Sequence, residues 1–188
     1  MPEHIITKPE KCRACHRCEV ACIAAHHNLD MKEAMKRRNE FTPRVRVIRG
    51  EGYKTTVRCH QCNPAPCANI CPTGAIEQLE DGTLVTHDEQ CIACEMCLDA
   101  CPYGAPKFAT DEPDCKMSKC TMCVDRLAEG IQPACTASCP LRAFDFGPLD
   151  ELIEKYGDVR YCEGMPSPDA TNPAYLIWNP REKTPLLP

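Results

Sequence analysis

Residues 91–101 read CIACEMCLDAC, and Pro102 follows. The spacing is C-x2-C-x2-C-x3-C-P, and outward from it the same pattern recurs. Cys59, Cys62, Cys67 and Cys71 read C-x2-C-x4-C-x3-C-P, and Cys12, Cys15, Cys18 and Cys22 read C-x2-C-x2-C-x3-C. Cys120, Cys123, Cys135 and Cys139 read C-x2-C-x11-C-x3-C-P. Sixteen of the 18 cysteines fall into these four runs, leaving Cys115 and Cys162 outside. Repetition of this kind governs the organisation of a chain before any periodicity argument does.

The remaining composition says what else the chain can be. At 188 residues it is one ordinary domain or two small ones. Aromatics make up only 5%, so large apolar side chains are scarce and something else has to hold the chain together. No apolar run approaches the ~18 residues of a membrane span, so direct membrane insertion is not expected. Met1–Glu10 (MPEHIITKPE) has neither the charged start and apolar stretch of a secretory signal nor a twin-arginine pair, which predicts a cytoplasmic protein. In that compartment a cysteine-rich chain binds metal rather than forming disulfides. The net charge of −5 argues against nucleic acid as a partner.

The run C-x2-C-x2-C-x3-C-P is the bacterial ferredoxin signature. Three thiolates two residues apart wrap one turn of loop around an iron–sulfur cube, and a fourth from the same tight loop would strain it. In two-cluster ferredoxins the fourth cysteine of each run therefore ligates the other cluster. The proline after it fixes φ and steers the chain away. Pro72, Pro102 and Pro140 do this for three runs, whereas Cys22 is followed by Ile23. Zinc is the competing reading, but a zinc site needs two C-x2-C pairs and gains nothing from a third cysteine at the same interval. A disulfide scaffold fares worse, because cysteines packed as C-x2-C-x2-C cannot all pair. A cluster held by four thiolates has no open coordination site, and the chain contains no Gly-rich phosphate loop, G-x-G-x-x-G or G-x-S-x-G. It reads as a conductor of electrons and not, by itself, as an enzyme.

On these residues the chain resembles the four-cluster ferredoxin subunits of molybdenum and tungsten enzymes, the beta subunits of the dimethyl sulfoxide reductase and formate dehydrogenase type. The likeness runs through CHQCNPAPCANICPTGAI (59–76), CIACEMCLDACPYGAPKF (91–108), KCTMCVDRLAEGIQPACTASCPLRAFDFGPLDEL (119–152) and the tail PSPDATNPAYLI (166–177). It implies an α+β fold of two interleaved ferredoxin-like domains. Residues 1–54 plus 111–156 would carry the first and fourth runs, 55–110 the second and third, and 157–188 would form an extended C-terminal arm on a partner or on the domain surface. It also implies four [4Fe–4S] clusters with crossed ligand sets. Cys59, Cys62, Cys67 and Cys101 would hold one; Cys91, Cys94, Cys97 and Cys71 the next; Cys12, Cys15, Cys18 and Cys139 a third; Cys120, Cys123, Cys135 and Cys22 the fourth. The implied partner is a catalytic subunit with a tungsten or molybdenum pterin cofactor, of the formate dehydrogenase, aldehyde oxidoreductase or benzoyl-CoA reductase type, with a further redox subunit or ferredoxin. The alternatives are a polyferredoxin of a nickel CO dehydrogenase or hydrogenase complex, and a stand-alone ferredoxin shuttle.

Between the runs the sequence predicts a hairpin of Ala75–Leu79 with Thr83–His87 about an Asp81-Gly82 turn. Short helices are expected at Cys18–Asn28, Cys97–Cys101, Met122–Glu129 (closed by Gly130) and Asp150–Tyr156 (ending at Gly157). Residues 32–58 hold nine Lys/Arg against three Glu, a balance of +6 that leaves −11 on the rest. Such a segment either neutralises cluster charge or docks an acidic partner. His16 and His60 lie inside cysteine loops, where imidazole can donate to sulfur. His26-His27 reads as an exposed helix end, Cys115 and Cys162 as small buried residues, and Trp178 as either an anchor to another subunit or an ordinary intrachain contact.

Overall fold

The computed structural model describes residues 3–50, 53–108, 115–160 and 166–177. Strand β1 (Glu3–Thr7) is the centre of a three-stranded sheet, and Ile5, Ile6 and Thr7 are all buried. Buried on both faces from His4 to Thr7, it sets Ile5 and Ile6 side by side instead of alternating apolar with polar residues. Its partners come from the other end of the chain. Strand β6 (Phe144–Pro148) pairs antiparallel, from Glu3 opposite Pro148 to Thr7 opposite Phe144. The short strand β7 (Leu176–Ile177) pairs parallel, with Ile6 opposite Leu176.

Beneath this sheet lies helix α7 (Leu149–Tyr156), whose apolar residues recur at 149, 152, 153 and 156 and so share one face. Leu152 packs on Ile6 and Leu176, a cluster in which each fully buried side chain is worth about 1.5–3 kcal/mol. The helix stops at Gly157, whose φ of 86° only glycine adopts without strain.

Two short helix pairs carry the cysteines. Helix α1 (Arg17–His26) packs on α6 (Ala134–Ser138), and α3 (Pro66–Asn69) packs on α4 (Met96–Ala100). Helix α1 has no polar stripe, because it is surrounded. Val20, Ile23 and Ala24 meet Ala34 of α2 (Met31–Lys36), while Ala21 meets Cys123 and Ala134. Helix α2 starts where Asp30 accepts from the N–H groups of Lys32 and Glu33, both at 2.8 Å. Helix α5 (Val124–Ala128) follows Cys123 and is closed by a turn at Gly130, φ 71°.

Two hairpins flank the helix pairs. Strand β2 (Arg46–Gly50) pairs with β3 (Tyr53–Val57), and β4 (Ile76–Gln78) with β5 (Leu84–Thr86). The second is the hairpin the Asp81-Gly82 turn predicts, closed by Asp81 Oδ1 accepting from the Thr83 N–H at 2.8 Å.

The tail departs from expectation. In its described part, 166–177, Thr171, Tyr175 and Leu176 are buried in the body and not laid along a surface. The Asn63 N–H donates to the Thr171 carbonyl, the Ala174 N–H to that of His60, and the Tyr175 hydroxyl to that of Thr56 at 2.6 Å. The reason is the free edge of β1: without β7, Ile6 and Leu152 would lose the side chain that covers them. Residues 178–188, with Trp178, lie outside the described residues, as does Cys162.

Candidate metal centres

The cysteine loops share one backbone device. Ala14, Gln61, Ala93 and Met122, each directly before the second cysteine of its run, all have φ between 49° and 58°. His16 and Glu95, two residues further along their runs, are left-handed as well. For a non-glycine residue this conformation costs about 1–2 kcal/mol. Repeated at equivalent positions it marks a functional constraint, since left-handed turns aim successive N–H groups into an anion-binding concavity.

A second device follows three of the runs. After Cys71-Pro72, Cys101-Pro102 and Cys139-Pro140 the chain turns through Gly74, Gly104 and Arg142, with φ of 68°, 56° and 50°. In two of them the next N–H returns to the cysteine: Ala105 donates to Cys101 Sγ and Ala143 to Cys139 Sγ, both at 3.4 Å. Cys22 has no proline after it and stays inside α1, so the chain cannot turn back there. Its sulfur accepts instead from the Arg44 N–H at 3.3 Å, 22 residues along.

The predicted site residues come together in four places. Cys12, Cys15, Cys18 and Cys139 line one cavity that opens to solvent. Cys71, Cys91, Cys94 and Cys97 line another. In the interior Cys22 is within electrostatic reach of Cys120, Cys123 and Cys135, and Cys62 of Cys59, Cys67 and Cys101. Each short helix serves two places: α1 carries Cys18 and Cys22, α6 carries Cys135 and leads into Cys139, and α4 carries Cys97 and leads into Cys101. The four places are also neighbours in space, Cys18 feeling Cys135 and Cys120 feeling Cys59.

Cys15 and Cys94, one in each cavity-lining quartet, are exposed, and Cys71, Cys91, Cys101 and Cys139 are half-buried, whereas Cys12, Cys18, Cys22, Cys59, Cys62, Cys67, Cys97, Cys120, Cys123 and Cys135 are buried. Burial, followed by neighbouring thiols, pushes Cys18, Cys62 and Cys120 up to about 12, and burial is also the main cause that takes Cys67 and Cys97 to about 11. Cys22 and Cys135 are raised for the same first reason. Cys71 is the exception: burial acts to raise it, but hydrogen bonds from Thr73, Ala75 and Ile76 hold it below its ordinary value. Thiols raised this far stay protonated in the metal-free chain, and only a strongly cationic occupant makes four adjacent thiolates.

Two buried cations meet the opposite need. Lys119 is fully buried, and its Nζ donates to the carbonyls of Leu84 (2.7 Å) and Cys120 (3.3 Å). Arg58 is 5% exposed, donates to the Ile5 carbonyl and to Thr7 Oγ1, and lies 4.9 Å over the Tyr175 ring. Among the described residues neither forms an ion pair with a carboxylate, yet buried charges require a partner. Cysteines are among the groups that feel them: Lys119 acts on Cys67, and Arg58 on Cys120 and Cys135 as well as on His4 and His60. This is the counter-charge expected around anionic metal–thiolate groups.

The donor set thus fits iron–sulfur clusters. Among the described residues no three His, Cys, Asp or Glu are placed to hold a single metal ion. The two cavity-lining quartets stand around a space instead of meeting at a point, as ligands of a four-iron cube do and those of tetrahedral zinc do not. Residues 51–149 match the profile of the 4Fe-4S dicluster domain. The chain belongs to that family. It is similar to the B subunit of the anaerobic dimethyl sulfoxide reductase of Escherichia coli K12, 37% identical over 174 residues that cover 89% of this chain and 83% of that one. The corresponding reductase subunit of Haemophilus influenzae is 35% identical over 176 residues (89% and 84%). The E. coli electron transport protein HydN is 38% identical over 169 residues (81% and 93%). A 4Fe-4S dicluster protein of this kind is an iron–sulfur electron-transfer subunit of the oxidoreductase class, with multiple [4Fe–4S] clusters. Among the described residues no helix is long and apolar enough to cross a membrane.

Other candidates take different places than expected. His16 Nδ1 pairs with Glu19 at 2.8 Å. His60 lies between the rings of Tyr175 (4.3 Å, stacked) and Tyr103 (3.9 Å), its Nδ1 buried with no hydrogen bond among the described residues, and burial lowers it to about 3. His26, read as an exposed helix end, is half-buried with Nε2 3.7 Å from Cys123 Sγ. Cys115 is half-buried, its thiol directed to the Lys116 carbonyl. Three residues escape sequence reasoning: Arg58, Lys119 and Gln61. Gln61 Nε2 donates to the Cys120 carbonyl, and its Oε1 accepts from the Leu84 N–H. The available signal is a cation directly before the first cysteine of a run, as in Arg58-Cys59 and Lys119-Cys120. Lys11-Cys12 shares it yet is exposed, so the signal alone does not mark burial.

Proposed function

We propose that the chain is the electron-conducting subunit of a multisubunit oxidoreductase whose catalytic partner carries a molybdenum or tungsten pterin. Four [4Fe–4S] clusters would be held by the four quartets named above, inside two interleaved ferredoxin-like halves. The observation that carries this reading is the arrangement of the quartets: four groups of cysteines, adjacent in space, with one exposed cysteine in each of the two outer groups, Cys15 and Cys94, and none in the inner two. Bound there, such clusters supply one-electron transfer. The residues do the rest. The short helices α1, α4 and α6 each bring two cysteines, four residues apart, to adjoining quartets. The N–H groups of Ala14, Arg44, Ala105, Met117 and Ala143 donate to Cys12, Cys22, Cys101, Cys91 and Cys139, which stabilises thiolate. The packing of α1 on α6 and of α3 on α4 supports the interleaving, since it joins the first run to the fourth and the second to the third.

The relatives favour a partner of the dimethyl sulfoxide reductase type over a free shuttle, because two of them are named as a component of such a reductase. Elemental analysis of the native complex, purified without oxygen, tests the reading. The expected result is molybdenum or tungsten together with about sixteen irons per copy of this chain. Nickel in place of both would move the chain to a CO dehydrogenase or hydrogenase complex. Zinc without iron would overturn the proposal.

A further inference from the structure

The two exposed quartets differ in what surrounds them. Around Cys12, Cys15, Cys18 and Cys139 the cavity wall includes Arg13, Arg17 and the exposed apolar side chain of Leu141. Arg142 follows Leu141, and Arg49 reaches in to donate to the Ala14 carbonyl at 3.1 Å. All four arginines are exposed, and the acids nearby are Glu10 and the half-buried Glu19, which is paired with His16. Around Cys71, Cys91, Cys94 and Cys97 the wall includes Glu95 and Ile92, which is 61% exposed. Asp88 and Glu89 form the turn that runs into Cys91, and Asp99 lies two residues beyond Cys97. These four acids are exposed, and the cation beside them, Lys116, is tied to the Cys91 carbonyl at 2.7 Å.

We infer that the opposite ends of the cysteine series are docking faces of opposite charge, so that the Cys15 end receives a redox protein with an acidic surface and the Cys94 end one with a basic surface. This rests on the electron-conducting function proposed above. Each face joins an exposed apolar side chain to a ring of like charge around a solvent-reaching cysteine. Contact area is thereby combined with long-range steering, and electrostatic steering changes association rates by about 10–10³-fold. A subunit with identical ends would accept either partner at either end. Opposite charges at the two ends forbid the wrong pairing by like-charge repulsion.

Small charged oxidants test this without the partners. The full chain, purified anaerobically with its clusters and reduced, is mixed with hexacyanoferrate(III), an anion, or hexaamminecobalt(III), a cation. Each molecule of oxidant takes one electron from the reduced chain, and recovery of the iron–sulfur absorbance follows the rate. At low salt Arg13→Glu/Arg17→Glu is expected to slow the anion tenfold or more without slowing the cation. Glu95→Lys/Asp99→Lys is expected to slow the cation and not the anion. Iron content equal to the unaltered chain confirms that each variant is assembled. The unaltered chain gives a second reading: its net negative charge alone would let salt speed the anionic oxidant, whereas the arginine face makes salt slow it. A charge reversal that slows both oxidants or neither, or acceleration of hexacyanoferrate by salt, overturns the inference. Absence of any iron–sulfur absorbance would instead overturn the electron-conducting function on which it rests.

Discussion

Replacing Cys101 by serine separates the crossed ligand sets from local ones. Cys101 closes α4, and Cys97 lies in its first turn. Four residues of helix advance about 6 Å, which brings the two sulfurs to different neighbours. The electrostatic neighbours of Cys97 are Cys71, Cys91 and Cys94, whereas Cys101 acts on Cys62 and Cys67. Under the proposal of four clusters, taken as equivalent, loss or conversion of one alters about a quarter of the total cluster signal. The assay is low-temperature electron paramagnetic resonance of the reduced protein, with iron analysis, on Cys101→Ser beside Cys62→Ser and Cys94→Ser. The Cys101→Ser spectrum is expected to lose the same component as Cys62→Ser. The double variant Cys62→Ser/Cys101→Ser should do no further damage, because both changes strike one cluster, while Cys62→Ser/Cys94→Ser should alter about half the signal. A Cys101→Ser spectrum matching Cys94→Ser would refute the crossed arrangement.

Three further outcomes follow from the geometry. Lys119→Met removes a buried positive charge facing the Cys67 and Cys120 quartets, so at least one cluster should become harder to reduce, by about 60 mV for each tenfold change in its reduction equilibrium, in a redox titration; unchanged potentials would mean the ammonium is neutralised elsewhere. His4, lowered from 6.5 to about 4 by burial and then by Arg58, stays neutral in the fold while the unfolded chain takes up the proton. Stability therefore falls as pH drops from 6.5 towards 4, by about 1.4 kcal/mol from His4 at pH 5.5, and His4→Gln should shrink the difference between urea midpoints at pH 7.5 and 5.5. Leu176→Ala empties a site with 0% exposure between Ile6 and Leu152 and should cost about 2–5 kcal/mol in anaerobic denaturation; a loss below about 1 kcal/mol would show that the tail only rests on the surface.

The features legible in the sequence are local ones. The cysteine runs, the Asp81-Gly82 hairpin, and the helices ending at Gly130 and Gly157 are each specified within a dozen residues, by a spacing, a turn pair or a terminal glycine. The β2–β3 hairpin carries a weaker form of the same signal, Gly50-Glu51-Gly52, too diffuse to predict a turn. Helix α2 escapes prediction because only Asp30 announces it.

The chemistry is written in the order of residues alone: sixteen thiols at ferredoxin spacing, and three prolines that turn the chain after the fourth cysteine of a run. Long-range packing sets the rest. The central sheet joins residues 3–7, 144–148 and 176–177, whose pairing no local pattern encodes, because each strand is short and its edge is completed by chain more than a hundred residues away. The N–H on Cys22 comes from Arg44 because α1 continues where the other runs turn. The left-handed residues before the second cysteines are alanine, glutamine and methionine, so no glycine advertises them. Lys119 and Arg58 become buried counter-charges only when the fold closes water out around the cysteines, for a cation reads the same in sequence whether it faces solvent or metal.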